Sequence, residues 1–350
     1  MNISLSFDRK NRTWKTGETV SGTISIQAKS DKKCSGISVS LMWTAHGGRS
    51  DRSETVEEIS IDCAYILAGN TDIPFSFQLP KGPITYHGKS LNIDWKVDVF
   101  ASLAWSLGES CEQDFIVLPG PTARAHHELS YVPKSQNTKI GLFIFIGLVL
   151  AVPGAYMVYI TSTGGKITND DPIVVYIVGG LMIAFGILFI LVDLWNLFAS
   201  ATIGKVEVEI KPNTLKGGDT FEITTSLTPR RSCELNGIKA YLSATERIAR
   251  NQVVSSQGSR TTKKVIVTSV VHAQDQVIKG PIKLREGHPK TFKLSFVLPA
   301  DAPPSFEAGE YGLAWRVDLR IDIPMHPDWS DNYGLLVEPR ELDPVADVRE

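Results

Sequence analysis

The chain is poor in cysteine: Cys34, Cys63, Cys111 and Cys233 are the four among 350 residues, and no two form a CxxC pair. Thiols scattered in this way spell neither a zinc site nor a disulfide framework, so free thiols in a reducing compartment are expected. Charge excess is also missing, since 36 basic and 38 acidic residues leave a formal net charge of -2. That balance supplies no field to draw the whole molecule onto nucleic acid, which is set aside as a partner. The opening MNISLSFDRKNR has no apolar stretch behind a basic one and alternates like a strand. A cleaved signal peptide is therefore not expected.

Catalytic signatures are lacking as well. The sequence contains no H-E-x-x-H, no G-x-x-x-x-G-K-[ST], no G-x-S-x-G and no strand-borne G-x-G-x-x-G. His126-His127 is the densest histidine pair, but it sits in PGPTARAHHELSYVPKS without carboxylates or thiols at metal-ligand spacing. It reads as an interfacial or solvated pair rather than a metal site. Cys63, in EISIDCAYIL, reads as a core thiol with nothing nearby to lower its pKa. The expectation is a protein that is not an enzyme, with no cofactor and no metal.

What the chain does have is two long apolar runs. IGLFIFIGLVLAVPGAYMVYI covers 140–160 and IVVYIVGGLMIAFGILFILVDLWNLF covers 173–198. Each matches the roughly 20 residues that a helix needs to cross a hydrocarbon core. The polar segment TSTGGKITNDDP between them (161–172) suits a turn in an antiparallel hairpin, which puts both flanking regions on one side. Arg124, Lys134 and Lys139 precede the first run and Lys205, Lys211 and Lys216 follow the second, whereas the turn holds only Lys166. By the positive-inside bias the flanks are cytoplasmic, which predicts a two-pass protein of the plasma or inner membrane. Gly147, Ala151 and Ala155, and Gly180 with Ala184, recur every four residues and are expected to line the seam between the helices, with a dimer seam as the alternative. Asp193 is the ionisable residue within the runs and is expected to reach the cytoplasmic interface beside Trp195 and Asn196.

The flanks repeat one another. KTGETVSGTISI (15–26) answers KGGDTFEITTSL (216–227), and CSGISVSLMW (34–43) answers CELNGIKAYLSA (233–244). SFQLPKGPITYHGKSLNIDWKVDVF answers SFVLPADAPPSFEAGEYGLAWRVDLRID. Alternating positions such as Ile93, Trp95, Val97 and Val99 place one face on a core. Prolines 80, 83, 299, 303 and 304 mark connections that leave a strand. Short strands at this spacing, with no amphipathic helix between them, predict antiparallel β-sandwiches.

The stretch Trp14-Lys15-Thr16-Gly17-Glu18-Thr19-Val20-Ser21-Gly22 resembles the opening of arrestin-type N-lobes. Leu298-Pro299 followed by Pro303-Pro304-Ser305-Phe306 is similar to the L-P-x-x-x-P-P-S-F corner of the same superfamily, and the first copy keeps Leu79-Pro80 and Pro83-Ile84-Thr85-Tyr86. The chain therefore resembles the arrestin-like superfamily, including the arrestin-like sporulation-control proteins of bacteria, with a membrane hairpin inserted between the lobes.

The resulting expectation is a mainly β chain. An arrestin-like, immunoglobulin-like β-sandwich covers 1–120, a linker 121–138, a transmembrane hairpin 139–198, a second sandwich 199–339 and a mobile tail 340–350. The resemblance of the lobes, together with the two apolar runs, implies a membrane-anchored adaptor or scaffold that binds protein partners through its lobes, with an accessory or gating subunit of a membrane pore as the alternative. It further implies that Arg9, Lys10, Arg12 and Lys15, in the turn after the first strand, receive an anionic peptide, with lipid headgroups as the other ligand that such a cluster suits. Arg260, Lys263 and Lys264, in the long polar insertion of the second copy, are the candidate partner-binding loop, and KKVIVTSVV within that insertion predicts a strand of a protruding hairpin. Homo-oligomer formation is left open.

Overall fold

A computed structural model of the chain describes residues 1–48, 51–104, 108–126, 142–164, 172–256, 259–325 and 328–341. His127, the linker at 127–138, the turn at 165–171, the tail at 342–350 and the side chain of Arg260 lie outside the described residues.

The N-lobe comprises β1 (Asn2–Phe7), β2 (Thr13–Lys15), β3 (Thr19–Ala28), β4 (Lys32–His46), β5 (Arg52–Ile61), β6 (Tyr65–Ile66), β7 (Gly69–Gln78), β8 (Tyr86–His87), β9 (Asn92–Leu103) and β10 (Glu109–Leu118). Two helices follow, α1 (Leu142–Ser162) and α2 (Pro172–Ile203). The C-lobe comprises β11 (Lys205–Lys211), β12 (Thr214–Lys216), β13 (Thr220–Thr228), β14 (Cys233–Ser256), β15 (Ser259–Leu284), β16 (Lys290–Val297), β17 (Phe306–Ala308), β18 (Tyr311–Asp322) and β19 (Trp329–Glu338).

Each lobe is a sandwich of one small and one large sheet. In the N-lobe β1-β3-β7 faces β2-β10-β9-β4-β5, and in the C-lobe β11-β13-β16 faces β12-β19-β18-β14-β15. The fold is thus mainly β, with two sandwich lobes on either side of two helices, as the alternation requires. Ile93, Trp95, Val97 and Val99 are all buried in the N-lobe core, opposite Val20, Ile24 and Ile26 of the small sheet.

The repeated phrases build the same clasp twice. Gly17 and Gly218 both adopt positive φ, near 84° and 83°, in a turn that places the next acid back on the chain. Glu18 accepts from the Lys15 amide at 2.9 Å, and Asp219 from the Lys216 amide at 2.8 Å. The turn is then pinned to the Leu-Pro corner, because the Leu79 amide donates to the Glu18 carbonyl and the Leu298 amide to the Asp219 carbonyl, each at 2.9 Å. In both lobes a tryptophan indole donates to a proline carbonyl twelve residues earlier, Trp95 to Pro83 at 3.1 Å and Trp315 to Pro303 at 2.8 Å. Even the divergent corner matches, since Thr85 and Ser305 hydroxyls accept from Val117 and Val337 amides at 2.9 and 3.1 Å. These residues hold the fold together.

The helices pack as an antiparallel pair along Gly147 and Gly154 of α1 and Val175, Gly179, Gly186 and Asp193 of α2, all buried. On α2 those positions and the half-buried Met182 and Phe189 between them are spaced alternately by four and three, the period of a left-handed pair. A β-carbon at Gly147 would stand 2.6 Å from the Gly186 carbonyl oxygen, so the backbones approach too closely for any side chain there. The seam differs from the four-residue stripe expected: Ala155, Gly180 and Ala184 face outward. A fixed step of four drifts off a packed face, which a mixture of threes and fours does not. Outside the seam the helices expose Phe145, Val152, Ile173, Leu181, Leu188 and other apolar side chains. Phe143–Ser162 and Pro172–Leu194 are long and apolar enough to cross a membrane, with mean hydropathies of 2.2 and 2.8.

Asp193 corrects a second expectation. Its carboxylate is buried and turned inward, where Oδ2 accepts from the Ile144 amide at 2.9 Å. It thereby satisfies a first-turn amide of α1 that no residue of its own helix can reach. Beyond Asp193, α2 continues without a break to Ile203, which is fully buried in the C-lobe core.

Candidate functional site

The two lobes meet, and the junction is built around one side chain. Glu246, on β14, is completely buried although it carries a carboxylate. Its Oε1 accepts from the Tyr86 hydroxyl at 2.7 Å and the Lys89 amide at 2.9 Å, and its Oε2 from the Ser90 amide at 2.6 Å and the Leu91 amide at 3.2 Å. The hydroxyl comes from β8 and the three amides from the N-lobe turn between β8 and β9. Successive amides that converge in this way form an anion cradle, and here the anion belongs to the other lobe. A β-carbon at Gly88 would stand 1.8 Å from Glu246 Oε1 and 2.5 Å from the Tyr86 hydroxyl oxygen, so a side chain there would displace the bonded pair. Burial, and after it the Glu246 carboxylate, push the Tyr86 phenol well above its ordinary pKa.

Polar and apolar contacts extend the junction on either side. The Ser90 and Ser269 hydroxyls lie 2.6 Å apart. Gly48 packs so closely on β14 that a β-carbon would be 2.3 Å from the Ala249 carbonyl oxygen. His126 is placed by the segment 121–126, which bridges the lobes: the Ala125 amide donates to Glu338 at 2.6 Å, and the Glu307 amide donates to the His126 carbonyl at 2.8 Å. Its ring packs on Trp43 and stacks on Phe306, with centroid separations of 5.1 and 5.5 Å. The histidine read from sequence as interfacial or solvated is therefore part of the lobe junction. Beside the junction, His46 and His87 both contact Asp94, the latter at 2.7 Å. Burial alone would raise the Asp94 carboxyl, but the two imidazoles outweigh it and hold the group below its usual range.

The basic turn is only partly open. Arg9 pairs with Glu18 at 2.6 Å and lies over the Trp14 ring, and this pairing holds the Glu18 carboxyl below its usual range. Lys15 pairs with Glu341 at 2.7 Å, across from the other lobe. Lys10 and Arg12 are exposed, and Arg12 has a positive φ of 50°. In the second copy, β14 and β15 form one long antiparallel ribbon from Cys233↔Leu284 to Ser256↔Ser259. It outruns β18, whose pairing ends at Arg247↔Gly312, so residues 250–256 and 259–265 project as the hairpin expected. Lys263 is exposed on it, Arg260 is paired with Ser255 near its tip, and Lys264 is drawn to Glu310. Cys63 is half-buried and adjoins Cys34, and burial pushes its thiol up. Among the described residues, no cluster of three or more His, Cys, Asp or Glu is placed to hold a metal ion.

The site that organises the molecule was not visible in the sequence. Glu246 lies in ATERIAR, a polar stretch, and its donors are 155 to 160 residues away. One signal was present: the register sets Glu246 opposite Leu313 where the N-lobe sets Ala45 opposite Ile93, so an acid stands at a position where the other copy buries alanine.

No family model matches the chain, and no curated protein does. Among solved structures, the crystal structure of Spo0M, a sporulation control protein from Bacillus subtilis, matches 39% of this chain and 49% of that one at 19% identity, with a TM-score of 0.28. The chain thus spans about half the length of that protein, and a likeness of this size carries no argument about what the chain does.

Proposed function

We propose that the chain is a two-pass membrane adaptor whose lobes work as one cytoplasmic body and bind protein partners. One observation carries the reading. The apolar α2 runs directly into the C-lobe core at Ile203, and Glu246 fastens that lobe to the other, so whatever either lobe holds is tethered to the hairpin. A tether of this kind raises the effective concentration of the lobes towards membrane-borne partners. Candidate contact points are the outermost strands of the large sheets, β5 and β15, which offer edge amides for strand addition, and the projecting ribbon with Arg260, Lys263 and Lys264. Lys10 and Arg12 are the solvent-facing members of the basic turn, and an acidic or phosphorylated peptide at that turn would compete with Glu18 and Glu341 for Arg9 and Lys15.

Cysteine accessibility in intact cells tests the arrangement. Single cysteines at Thr163, Arg12 and Lys263, in a chain without its native four, are exposed to a membrane-impermeant thiol reagent. Labelling at 163 alone is expected. Labelling at 12 and 263 but not at 163 would put the lobes outside the cell and sink the cytoplasmic reading.

A further inference from the structure

Four chain segments converge where α2 enters the C-lobe. Gly204 ends the helix with φ 72°, and a β-carbon there would stand 2.3 Å from the Thr228 carbonyl oxygen, against the turn between β13 and β14. The turn between β15 and β16 is stitched to the same place, by the Gly287 amide on the Pro229 carbonyl at 2.9 Å and the Glu286 amide on the Ser232 hydroxyl at 3.1 Å. The end of β18 and the residues after it up to Met325 reach this pole as well, because Asp322 pairs with Gly237 near the start of β14. Between the first three segments lies an open cleft of about 600 Å³ lined by Lys205, Thr228, Arg230 and Glu286.

The cleft is lined by two cations, Lys205 and Arg230, and one acid, Glu286. Arg230, Arg231 and Arg285 are exposed, and none forms an ion pair among the described residues. Lys205 is drawn to Glu207, and Glu286 is the acid of the cleft itself. Part of the positive charge complements the carbonyl end of α2, and the rest faces out. Glu307, Glu310 and Glu338 are at the lobe's other end, by the junction and the ribbon. Above the same pole Met325 is 89% exposed at a φ of 61°. Exposed cations and an exposed apolar side chain at one end of a lobe are what an interfacial contact needs, with cations on phosphates and the thioether among the acyl chains just below.

The helix fixes where this pole lies. Gly204 is six residues past Phe198, the last residue of the apolar run, or about 9 Å at 1.5 Å per residue. That is within the reach of an arginine side chain and close to one Debye length, about 8 Å, from the headgroup layer.

We propose that this pole is a binding site for the phosphates of anionic lipid headgroups, which seats the C-lobe on the leaflet through Arg230, Arg231 and Arg285 with Met325 inserted. The inference rests on the reading of α1 and α2 as membrane spans. The test uses the full chain reconstituted in vesicles of phosphatidylcholine, with or without one-quarter phosphatidylserine, and a fluorophore on a cysteine placed at His288 in a chain lacking its native four. Collisional quenching by a headgroup-labelled lipid should rise at least threefold with phosphatidylserine. Arg230→Glu combined with Arg285→Glu should abolish that rise while leaving the melting temperature within a few degrees, and Leu67→Asp, on the N-lobe, should leave it intact. Equal quenching in both vesicles, or no effect of the charge reversals, overturns the site. A probe response to 10 mM inorganic phosphate over neutral vesicles, as large as that to phosphatidylserine, assigns the site to a dissolved anion and overturns the lipid reading. Release of the protein by an alkaline wash from both vesicles defeats the membrane reading itself, whereas retention without lipid dependence defeats this inference alone.

Discussion

The two lobes use the same internal bonds and divide the work at their junction unequally. Each closes its glycine turn with an acid, pins it to a Leu-Pro corner and ties a tryptophan to a proline carbonyl twelve residues back. At the junction the N-lobe contributes backbone amides and the Tyr86 hydroxyl, while the C-lobe contributes the Glu246 carboxylate. The equivalent corner residues diverge accordingly: Tyr86 bonds Glu246, whereas Phe306 packs on Trp43 and His126. What two copies of a duplicated sandwich share is what the fold needs, and what they do not share is where the molecule became one body.

The sharpest way to break the comparison is to remove its unequal element. Glu246→Ala leaves three amides and a hydroxyl, buried or part-buried, without an acceptor and should cost about 4 kcal/mol, read as a lowered and split unfolding transition in urea. A single unchanged transition would mean that the lobes are not coupled through this residue. Next in size is the weld between helix and lobe. Ile203→Ala empties a fully buried site in the C-lobe core and should cost about 3 kcal/mol, with loss of protection confined to β11–β19 in hydrogen exchange.

The shared elements should respond alike. Thr85→Val and Ser305→Ala each remove a hydroxyl that accepts from a β-strand amide and should each cost about 1–1.5 kcal/mol. A difference of several-fold between them would show that the clasps are not equivalent. The smallest effect concerns pH. The folded Tyr86 phenol titrates above its ordinary value, so its contribution is complete below about pH 10. It is lost as pH rises past that point, because the unfolded chain's phenol ionises there while the folded one stays neutral. Tyr86→Phe should cost about 1 kcal/mol at neutral pH and lose less stability than the parent between pH 10 and 11.

Local pattern made much of this legible. Alternation in 92–99 and in 19–28 identified buried faces, and the glycine-acid turns and proline corners identified the duplication. The two apolar runs identified the helices to within a few residues at their first ends, although α2 continues to Ile203, past the expected end at 198. What stayed hidden depends on contacts between distant segments. Asp193 near a helix end suits an interfacial position, and only the antiparallel partner reveals the Ile144 amide that it caps. Small residues lie on several faces of α2, so spacing alone does not choose Gly179 and Gly186 over Gly180 and Ala184. Arg230, Arg231 and Arg285 stand more than fifty residues apart in part, and the fold gathers them at one pole.

Hydrogen exchange of the Lys89, Ser90 and Leu91 amides, in the full chain and in Glu246→Ala, tests most directly whether the lobes form one body. Slow exchange at these amides is expected in the parent and rapid exchange in the variant, although the substitution lies in the other lobe, with the β9 and β14 ladders still protected. Rapid exchange at 89–91 in the parent, or protection that survives Glu246→Ala, would contradict a single two-lobe body.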